Sequence, residues 1–365
     1  MLGPTHAAAL VNSTPSSSLA RNTDAGSFAR FTIGTPMTPS VTVIIAAYNA
    51  QDTLARAIRS ALSEPETAEV IVVDDASRDK TSAVAKDEGQ RDPRVRVIQF
   101  DKNQGPGAAR NRAIDAATSE FVAVLDSDDL FLPGRLGRLL GSEAGEMVAD
   151  NIAFVAPENL NEVLHQNWSA TRPTFAPLSA TEFVLGNLRK TGVARGELGF
   201  MKPIMSRAFL NHHNLRYDPS LRLGEDYDLY VRMLLAGARL TLTRSPGYAA
   251  VVRRTSLSAQ HGAQELAHLS DKLNSHLEMG SHPPDLARAM QAHLDEVRRK
   301  RDHRMFLDLR RAQGSWAAIR YLFAARGRLW PIAHQIARDK LKLSAMAGEA
   351  APKQGIRLLL PMDHA

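Results

Sequence analysis

The feature that most constrains the fold is a series of short apolar segments, separated by helical patterns, near the start of the chain. Val41–Ala47 is almost continuously apolar and β-branched, which is typical of a strand buried on both faces. Similar segments follow at Val70–Val73, Val95–Phe100 and Phe121–Leu125, with helix-like spacing of apolar residues between them. This alternation predicts right-handed crossovers and an α/β fold, with a mainly parallel sheet flanked by helices.

Polar residues directly follow three of the predicted strands. The first strand ends in Tyr48-Asn49, the second in Asp74-Asp75, and the fourth in Asp126-Ser127-Asp128-Asp129. In open parallel sheets the ligand lies beyond the carboxyl ends of the strands. The sequence therefore predicts an acidic ligand site at that edge of the sheet.

The acidic segment after the fourth strand is a candidate metal site. The carboxylates of Asp126, Asp128 and Asp129 repel one another, and a divalent cation is their natural counter-charge. Mg²⁺ and Mn²⁺ prefer oxygen ligands, and Mg²⁺ in particular often uses one or two carboxylates together with water and substrate phosphates. The alternative is a loop whose aspartates cap the next helix.

The pair Asp74-Asp75 allows three interpretations. With Ser77 and Asp79 it can form a turn in which Asp79 is the N-cap of the next helix. A carboxylate at a strand end can also accept hydrogen bonds from the N–H of a uracil base or from ribose hydroxyls. The pair is also similar to the acidic pocket of phosphoacceptor receiver domains. That interpretation needs a regular βα continuation, which the chain beyond Asp129 does not supply.

Small residues open the helix that we expect at about Pro106–Ala117. Glycines on either side of Pro106 allow close backbone approach, and a helix N-terminus favours anions. Arg110 stands where the third glycine of a G-x-G-x-x-G motif would be, and the segment follows the third strand instead of the first. The segment is not a P-loop either, so a dehydrogenase or an NTPase is disfavoured.

Two further charged segments are candidates for chemistry. Glu225 and Asp226 begin the predicted helix Glu225–Leu235, where the helix dipole keeps a carboxylate ionised. Capping explains one acid there, whereas an ionised carboxylate that faces a cleft can accept a proton from a hydroxyl nucleophile. The segment from Arg253 to Ser258 is either a donor cluster suited to phosphate or a solvated basic turn.

Together these segments resemble the inverting family 2 glycosyltransferases of the GT-A (nucleotide-diphospho-sugar transferase) fold. The resemblance is to the bacterial exopolysaccharide type, which includes succinoglycan glucosyltransferases. It covers about residues 40–260, and its motifs occur in the family's order. The matching segments are Val43–Asn49, Val72–Ser77, Asn103–Asn111, Leu125–Asp129 and Gly224–Leu229.

The resemblance implies a set of residues that bind the nucleotide-sugar donor. Ala47, Tyr48 and Asp75 would hold the nucleotide base. Arg110 would lie near the base or the diphosphate, and Asp126 would contact the ribose.

The resemblance also implies the metal ligand and the catalytic residues. Asp128 would bind the Mg²⁺ or Mn²⁺ ion that bridges the diphosphate, and Arg254 and Ser256 would lie close to the same diphosphate. Asp226 would be the catalytic base, and Glu225 beside it would orient the acceptor or the base.

The implied reaction transfers a hexose, glucose from UDP-glucose, to a lipid-linked oligosaccharide and forms a β-linkage in exopolysaccharide synthesis. One alternative is a glycosyltransferase for another surface glycan such as lipopolysaccharide. Another is a non-catalytic scaffold of a polysaccharide assembly complex. A sugar-1-phosphate nucleotidyltransferase is disfavoured, because it needs a G-x-G-x-R loop after the first strand, where this chain has Tyr48-Asn49.

The distribution of charge argues against a nucleic-acid partner. The net charge is +6 over 365 residues, but residues 291–365 carry +8 and the rest of the chain −2. A nucleic-acid binder would need basic residues interleaved with aromatic ones on a known module, and the sequence contains no such pattern. The absence of cysteine excludes disulfides, thiolate zinc sites and cysteine nucleophiles.

We expect three segments along the chain. Residues 1–39 are rich in Ser, Thr, Ala and Pro, and we expect them to be disordered. Residues 40–262 form the glycosyltransferase domain, with a nucleotide-binding half at 40–130 and an acceptor half at 131–262. Residues 263–365 form a basic helical C-terminal extension. No apolar run is long enough to cross a bilayer and no basic secretory start is present, so we expect a cytoplasmic protein.

The basic extension itself has two interpretations. Aromatic residues such as Trp316, Phe323 and Trp330 alternate with arginines there. Such a segment can lie on anionic lipid at the inner face of the cell membrane, with its aromatic rings in the interface. Alternatively, its apolar stripe docks on the catalytic domain and the arginines are solvated.

Overall fold

The computed structural model describes eight stretches of the chain, namely residues 41–142, 145–166, 168, 173–188, 197–252, 262–324, 332–333 and 355–362. All of them belong to one compact unit. The N-terminal segment that we expect to be disordered, residues 1–39, lies outside the described residues. None of the helices in the described stretches is long and apolar enough to cross a membrane.

The first part of the structure confirms the predicted alternation of strands and helices. Its strands are β1 (Val41–Ala47), β2 (Thr67–Asp74), β3 (Val95–Gln99) and β4 (Phe121–Val124). Its helices are α1 (Leu54–Leu62), α2 (Thr81–Arg91) and α3 (Pro106–Ala116). β1 pairs in parallel with both β2 and β4, and β3 pairs in parallel with β2. The carboxyl ends of these strands therefore meet at one edge of the sheet.

The second part adds antiparallel neighbours to this parallel half. Its strands are β5 (Leu130–Phe131), β6 (Met147–Val155), β7 (Phe175–Leu178), β8 (Ile204–Ser206) and β9 (Leu240–Val251). Its helices are α4 (Arg135–Leu140), α5 (Leu160–His165), α6 (Ala180–Leu185), α7 (Arg207–His212) and α8 (Glu225–Leu235). Two short 3-10 helices lie at Pro157–Asn159 and Leu198–Phe200.

These elements form one mixed sheet, which confirms the predicted α/β class. The strand order is β3-β2-β1-β4-β8-β6-β9-β5 in the described residues. β8 joins β4 antiparallel, whereas β6 and β9 pair in parallel with each other. The short antiparallel strands β5, β7 and β8 carry too few residues for a periodicity argument, so the sequence did not indicate them.

The core explains why β1 has almost no polar residues. Val43, Ile44 and Ile45 are completely buried between the helices that cover the two faces of the sheet. One face of helix α1 is buried and consists of Leu54, Ala57, Ile58 and Ala61. An apolar stripe at helical spacing over an apolar strand is the packing that the sequence pattern predicts.

Two predicted helix starts can be checked against the structure. Apolar residues at helical spacing begin directly after Asp52, which makes Asp52 the expected N-cap of the first helix. In the structure the N-cap of α1 is Thr53 and Asp52 is exposed, so that expectation is wrong. Before α2, Asp79 accepts a hydrogen bond of 3.0 Å from the backbone N–H of Thr81. Asp79 therefore satisfies a donor at the start of that helix, but the N-cap of α2 is Lys80, so the interpretation of Asp79 as N-cap is wrong.

The predicted C-terminal helices are present. They are α9 (Ala263–Glu278), α10 (Pro284–Gln313) and α11 (Ser315–Phe323). The chain then differs from a purely helical extension, because β10 (Arg357–Leu358) pairs antiparallel with β6. The side chain of Asn151 on β6 both donates to and accepts from the backbone of Leu360. The end of the chain is thus attached to the catalytic sheet.

Candidate active site

The ends of β1 and β2 form one wall of the candidate site. The backbone N–H of Asp75 donates a hydrogen bond of 2.8 Å to the carbonyl of Ala47, which ties the two strand ends together. Ala47 is buried, whereas the side chain of Tyr48 is 43 % exposed. Ala47, Tyr48 and Asp75, the three residues predicted to hold a nucleotide base, are therefore neighbours at the predicted edge of the sheet.

Asp75 also fixes the loop that leads into α3. Its two carboxylate oxygens accept hydrogen bonds from the backbone N–H groups of Gln104, at 2.7 Å, and Gly105, at 2.8 Å. Gly105 has φ +93°, a conformation that glycine adopts without strain. Asp75 is buried, so the structure shows it as the anchor of this loop, a role that sequence reasoning had not assigned.

Arg110 is the centre of a buried ionic network. It lies in the second turn of α3 and is 5 % exposed. Its Nη2 lies 2.7 Å from an oxygen of Asp126, and its Nη1 lies 3.0 Å from Glu225 and 3.4 Å from Asp226. The guanidinium also lies over the ring of Tyr217, 5.3 Å from its centroid. One arginine thus joins three of the predicted site residues.

Lys202 is a second buried cation in the network, and sequence reasoning missed it. It lies between the 3-10 helix Leu198–Phe200 and β8. Its Nζ lies 2.7 Å from Oδ2 of Asp226 and 3.0 Å from Oδ2 of Asp126. Burial would lower the pKa of Lys202, but the charges of Asp126 and Asp226 outweigh burial and raise that pKa. Lys202 therefore stays protonated at neutral pH.

Asp126 is correspondingly held in its ionised form. Burial would raise the pKa of its carboxyl, but the charges of Lys202 and Arg110 hold that pKa well below its usual range. Its backbone N–H also donates to the hydroxyl of Tyr248, at 3.1 Å. Asp126 is thus fixed by two cations and by a tyrosine of β9.

The other two acids of the motif differ in their surroundings. Asp129 is buried and accepts hydrogen bonds of 2.8 Å from the hydroxyl of Tyr248 and from the backbone N–H of Val251. Burial, with the nearby charges of Asp126 and Asp128, raises the pKa of Asp129 well above its usual range. Asp129 therefore attaches the loop to β9, whereas Asp128 is partly exposed.

Glu225 and Asp226 are placed by the start of α8. Gly224 before them has φ +75°, which turns the chain sharply into the helix. The positive end of the helix dipole favours carboxylates in the first turn. Asp226 is 8 % exposed, and its carboxylate contacts both Arg110 and Lys202. A carboxylate in this position is of the kind that can accept a proton from a hydroxyl group.

The donor chemistry near Asp128 fits a divalent cation such as Mg²⁺ or Mn²⁺. Among the described residues, no three His, Asp or Glu side chains gather as a complete metal cage. Both oxygens of Asp126 already contact cations. Partly exposed Asp128 supplies a carboxylate of the kind that Mg²⁺ binds when water and phosphate complete its shell. The residues present thus suit an ion that arrives with a diphosphate.

The structure brings together most of the predicted site residues, and two of them lie outside its described stretches. Arg110, Asp126, Glu225 and Asp226 form one network. Arg254 and Ser256, expected near the diphosphate, lie outside the described residues. A signal for Lys202 did exist, since a lysine stands alone within the otherwise apolar run from Leu198 to Met205.

Comparison with known proteins identifies the family. The family model for "Glycosyl transferase family 2" matches residues 42–209. The succinoglycan biosynthesis protein ExoU of Rhizobium meliloti is 43% identical over 88% of this chain and 95% of the relative. The chain belongs to glycosyltransferase family 2. ExoO of the same organism, also named a succinoglycan biosynthesis protein, is 34% identical over 86% of this chain and 91% of the relative.

Solved structures show the same GT-A fold. S. aureus TarS in complex with UDP aligns with a TM-score of 0.51 over 75% of this chain and 73% of that chain, at 18% identity. The mannosyltransferase PcManGT from Pyrobaculum calidifontis, in complex with GDP-Man and Mn2+, aligns with a TM-score of 0.52 over 84% and 81%, at 20% identity. These structures confirm the predicted GT-A fold, and membership of family 2 confirms the prediction of a glycosyltransferase.

Proposed function

We propose that this family 2 glycosyltransferase transfers glucose from UDP-glucose, with inversion, to a lipid-linked oligosaccharide during exopolysaccharide synthesis. The observation that carries the proposal is the placement of Asp226. Its carboxylate lies at the N-terminus of α8 and contacts both Lys202 and Arg110 at the donor edge of the sheet. A carboxylate placed there is suited to activate an acceptor hydroxyl.

The reaction follows from these groups. The acceptor hydroxyl oxygen attacks the anomeric carbon on the face opposite the diphosphate, and its proton passes to Asp226. The bond between the anomeric carbon and the phosphate oxygen breaks, and its electron pair leaves with UDP. Because a single displacement inverts the anomeric centre, an α-linked donor gives a β-linked product. Glu225, held 3.0 Å from Arg110, orients the acceptor or the base.

The leaving diphosphate gains negative charge as that bond breaks. Fixed positive groups stabilise such charge at little reorganisation cost. Arg110 is the described cation that we assign to this role, and Arg254 and Ser256 would assist it. A divalent cation on Asp128 would act as a Lewis acid toward the diphosphate.

The donor assignment rests on the wall formed by β1 and β2 and on the relatives. Exposed Tyr48 offers a ring on which a base can stack, beside the buried Ala47 and Asp75. TarS was solved with UDP and with UDP-GlcNAc and PcManGT with GDP-Man, which supports a nucleoside-diphosphate donor, and we assign uridine within that class. ExoU and ExoO are both named for succinoglycan biosynthesis, which supports an exopolysaccharide product.

The lipid-linked acceptor implies a site at the cytoplasmic face of the cell membrane, and α11 is suited to contact it. Trp316, Ile319 and Phe323 are 77 %, 39 % and 71 % exposed and recur at helical spacing, so they share one face of this helix. Its other face buries Ala318 against Phe306 of α10. Arg320 lies in the last turn of the same helix, and a basic residue beside an exposed apolar face favours anionic lipid.

A donor and acceptor assay tests the proposed function. The purified protein is incubated with UDP-[14C]glucose, Mn²⁺ and a lipid extract from a succinoglycan-producing strain that lacks the corresponding glucosyltransferase. We expect radioactive glucose in the lipid fraction, released by a β-glucosidase and not by an α-glucosidase. Transfer from another nucleotide sugar instead of UDP-glucose would contradict the donor assignment, and an α-linked product would contradict inversion.

A further inference from the structure

We propose that Lys202 is a positioning residue that holds the carboxylate of Asp226 in a fixed position beside Asp126, which we expect to contact the nucleotide-sugar donor. The inference rests on the proposed function, because it takes Asp226 as the base and Asp126 as a donor contact. The observation is that one ammonium group lies within hydrogen-bonding distance of Oδ2 of both carboxylates, at 2.7 Å and 3.0 Å. Lys202 thereby links the acceptor side of the site to the donor side.

The backbone around Lys202 is fixed from two directions. The carbonyl of Met201 accepts a hydrogen bond of 3.1 Å from the hydroxyl of Tyr230, which lies on α8 with Asp226. The carbonyl of Lys202 accepts a hydrogen bond from the guanidinium of Arg135. The same guanidinium forms a paired contact of 2.8 Å and 2.9 Å with Asp150 and is completely buried. Such support is typical of a functional side chain whose position is preset.

The charges explain why Asp226 needs this cation. Asp126, Asp226 and Glu225 bring three carboxylates to one cleft, and Arg110 contacts all of them. Arg110 is closest to Asp126 and lies 3.4 Å from Asp226, whereas Lys202 lies 2.7 Å from Asp226. Without Lys202 the carboxylates of Asp126 and Asp226 would share only the guanidinium of Arg110. Their repulsion would displace Asp226 from its position.

A different role for Lys202 predicts a different kinetic result. If the ammonium binds the donor's diphosphate directly, its loss weakens UDP binding and raises the KM for the donor. If it positions Asp226, its loss lowers kcat and leaves donor binding nearly unchanged, because the base acts only in the transition state. The two roles are therefore separated by comparing kcat with UDP affinity.

The experiment compares three variants with the wild-type protein. Lys202→Met keeps the length of the side chain and removes its charge, and Lys202→Arg keeps the charge. Lys86→Met is the matched control, because Lys86 is exposed on α2, away from the ionic network. Transfer from UDP-[14C]glucose to the lipid extract gives kcat as a function of pH, and calorimetry with UDP gives the donor affinity. Thermal unfolding verifies that each variant is folded.

We expect Lys202→Met to lower kcat at neutral pH by about a hundredfold while the Kd for UDP changes less than about threefold. The acid limb of its pH profile should differ from that of the wild-type protein, since the variant lacks a positive charge 2.7 Å from the proposed base. Lys202→Arg should recover much of the rate and restore the pH profile. A merely structural residue would not move the pH profile.

Two results would overturn the proposal. One is a Kd for UDP raised more than about tenfold with kcat unchanged, which would make Lys202 a diphosphate ligand. The other is a kcat and a pH profile like those of Lys86→Met. If Lys202→Met does not fold, the pH profile of Lys202→Gln decides in its place. Asp226→Asn, measured in parallel, distinguishes failure of the proposed function from failure of the role of Lys202. An active Asp226→Asn variant contradicts Asp226 as the base. An inactive Asp226→Asn variant together with an unaffected Lys202→Met variant contradicts only the role of Lys202.

Discussion

The Nε2 atom of His276 lies 2.9 Å from Oδ1 of Asp228, and both side chains are buried. This contact joins α9 to α8, the helix that begins with Glu225 and Asp226. Arg232 on α8 also contacts Asp228, and Lys272 on α9 contacts Asp218 in the preceding loop. The C-terminal helices are therefore part of the support of the active site.

Replacing His276 with Asn should destabilise the protein. The shorter side chain cannot reach Asp228 from the same backbone position, which removes a hydrogen bond of 2.9 Å from a buried carboxylate. Loss of one hydrogen-bonding partner of a buried polar group typically lowers the free energy of unfolding by about 1–3 kcal/mol. Urea unfolding measures the change. The control is His268→Asn, an exposed residue of the same helix, and an equal loss in the two variants would contradict the role of the contact.

Acid should destabilise the protein through His293. Burial, with a smaller contribution from Lys300 and His276 against Glu296, lowers the pKa of His293 to about 4. Its unfolded-state pKa is about 6.5, so the folded protein binds this proton less readily than the unfolded chain. The stability is fully present above about pH 6.5 and is lost as the pH falls toward 4. Between pH 7 and pH 5 we expect a loss of about 2 kcal/mol from this residue.

The variant His293→Phe isolates that contribution. Phenylalanine keeps an aromatic ring against Tyr227, which lies 4.6 Å from His293 between centroids, and it does not titrate. Urea unfolding at pH 7 and at pH 5 should show a smaller pH-dependent loss of stability in the variant than in the wild-type protein. Equal losses in the two proteins would assign the acid sensitivity to other groups.

The proposed metal ligand is tested by the coupling between Mn²⁺ and UDP. In the wild-type protein Mn²⁺ should strengthen UDP binding at least about tenfold, because the diphosphate oxygens would supply ligands to an ion held by the protein. Asp128→Ala should abolish that enhancement together with transfer, and Asp52→Ala, at an exposed position, should not. Calorimetry with and without EDTA gives both affinities. Tight UDP binding that is independent of metal would contradict the assignment.

Membrane contact through α11 is tested with vesicles. The double variant Trp316→Ser and Phe323→Ser should reduce binding to vesicles that contain phosphatidylglycerol, since both rings are exposed on one helix face. Binding of the wild-type protein should weaken with salt. Met279→Ser, at an exposed apolar residue outside α11, is the control. Wild-type protein that does not sediment with anionic vesicles at low salt would contradict the proposal.

The parallel half of the fold could be predicted because its signals are local. β1 was predicted at its observed bounds, and α3 and β4 to within one residue, because buried parallel strands and amphipathic helices both leave a pattern within a few residues. β8 and β10 contain three and two residues, and their pairing partners lie far away along the chain. Such strands are determined by tertiary packing, which a local pattern does not record.

The site residues also differ in whether the sequence could predict them. Asp126, Glu225 and Asp226 stand at a strand end and a helix start, positions that the sequence pattern itself defines. Lys202 reaches the site only because the loop before β8 is placed beside α8, with Met201 bonded to Tyr230. No periodic sequence pattern indicates that this loop lies beside α8. The available signal was a single lysine within an apolar run. Such a lysine, if buried, indicates a charged partner but does not show which residue that partner is.

We propose Asp226 as the base of an inverting transfer, and the variant Asp226→Asn tests that role most directly. Asp226→Asn keeps the shape of the side chain and removes its ability to accept the proton. The rate of glucose transfer from UDP-[14C]glucose to the lipid extract should fall by at least about a hundredfold, while the Kd for UDP stays within about threefold. Asp271→Asn, at an exposed position on α9, should transfer at the wild-type rate. Transfer by Asp226→Asn at a rate near that of the wild-type protein would contradict the account.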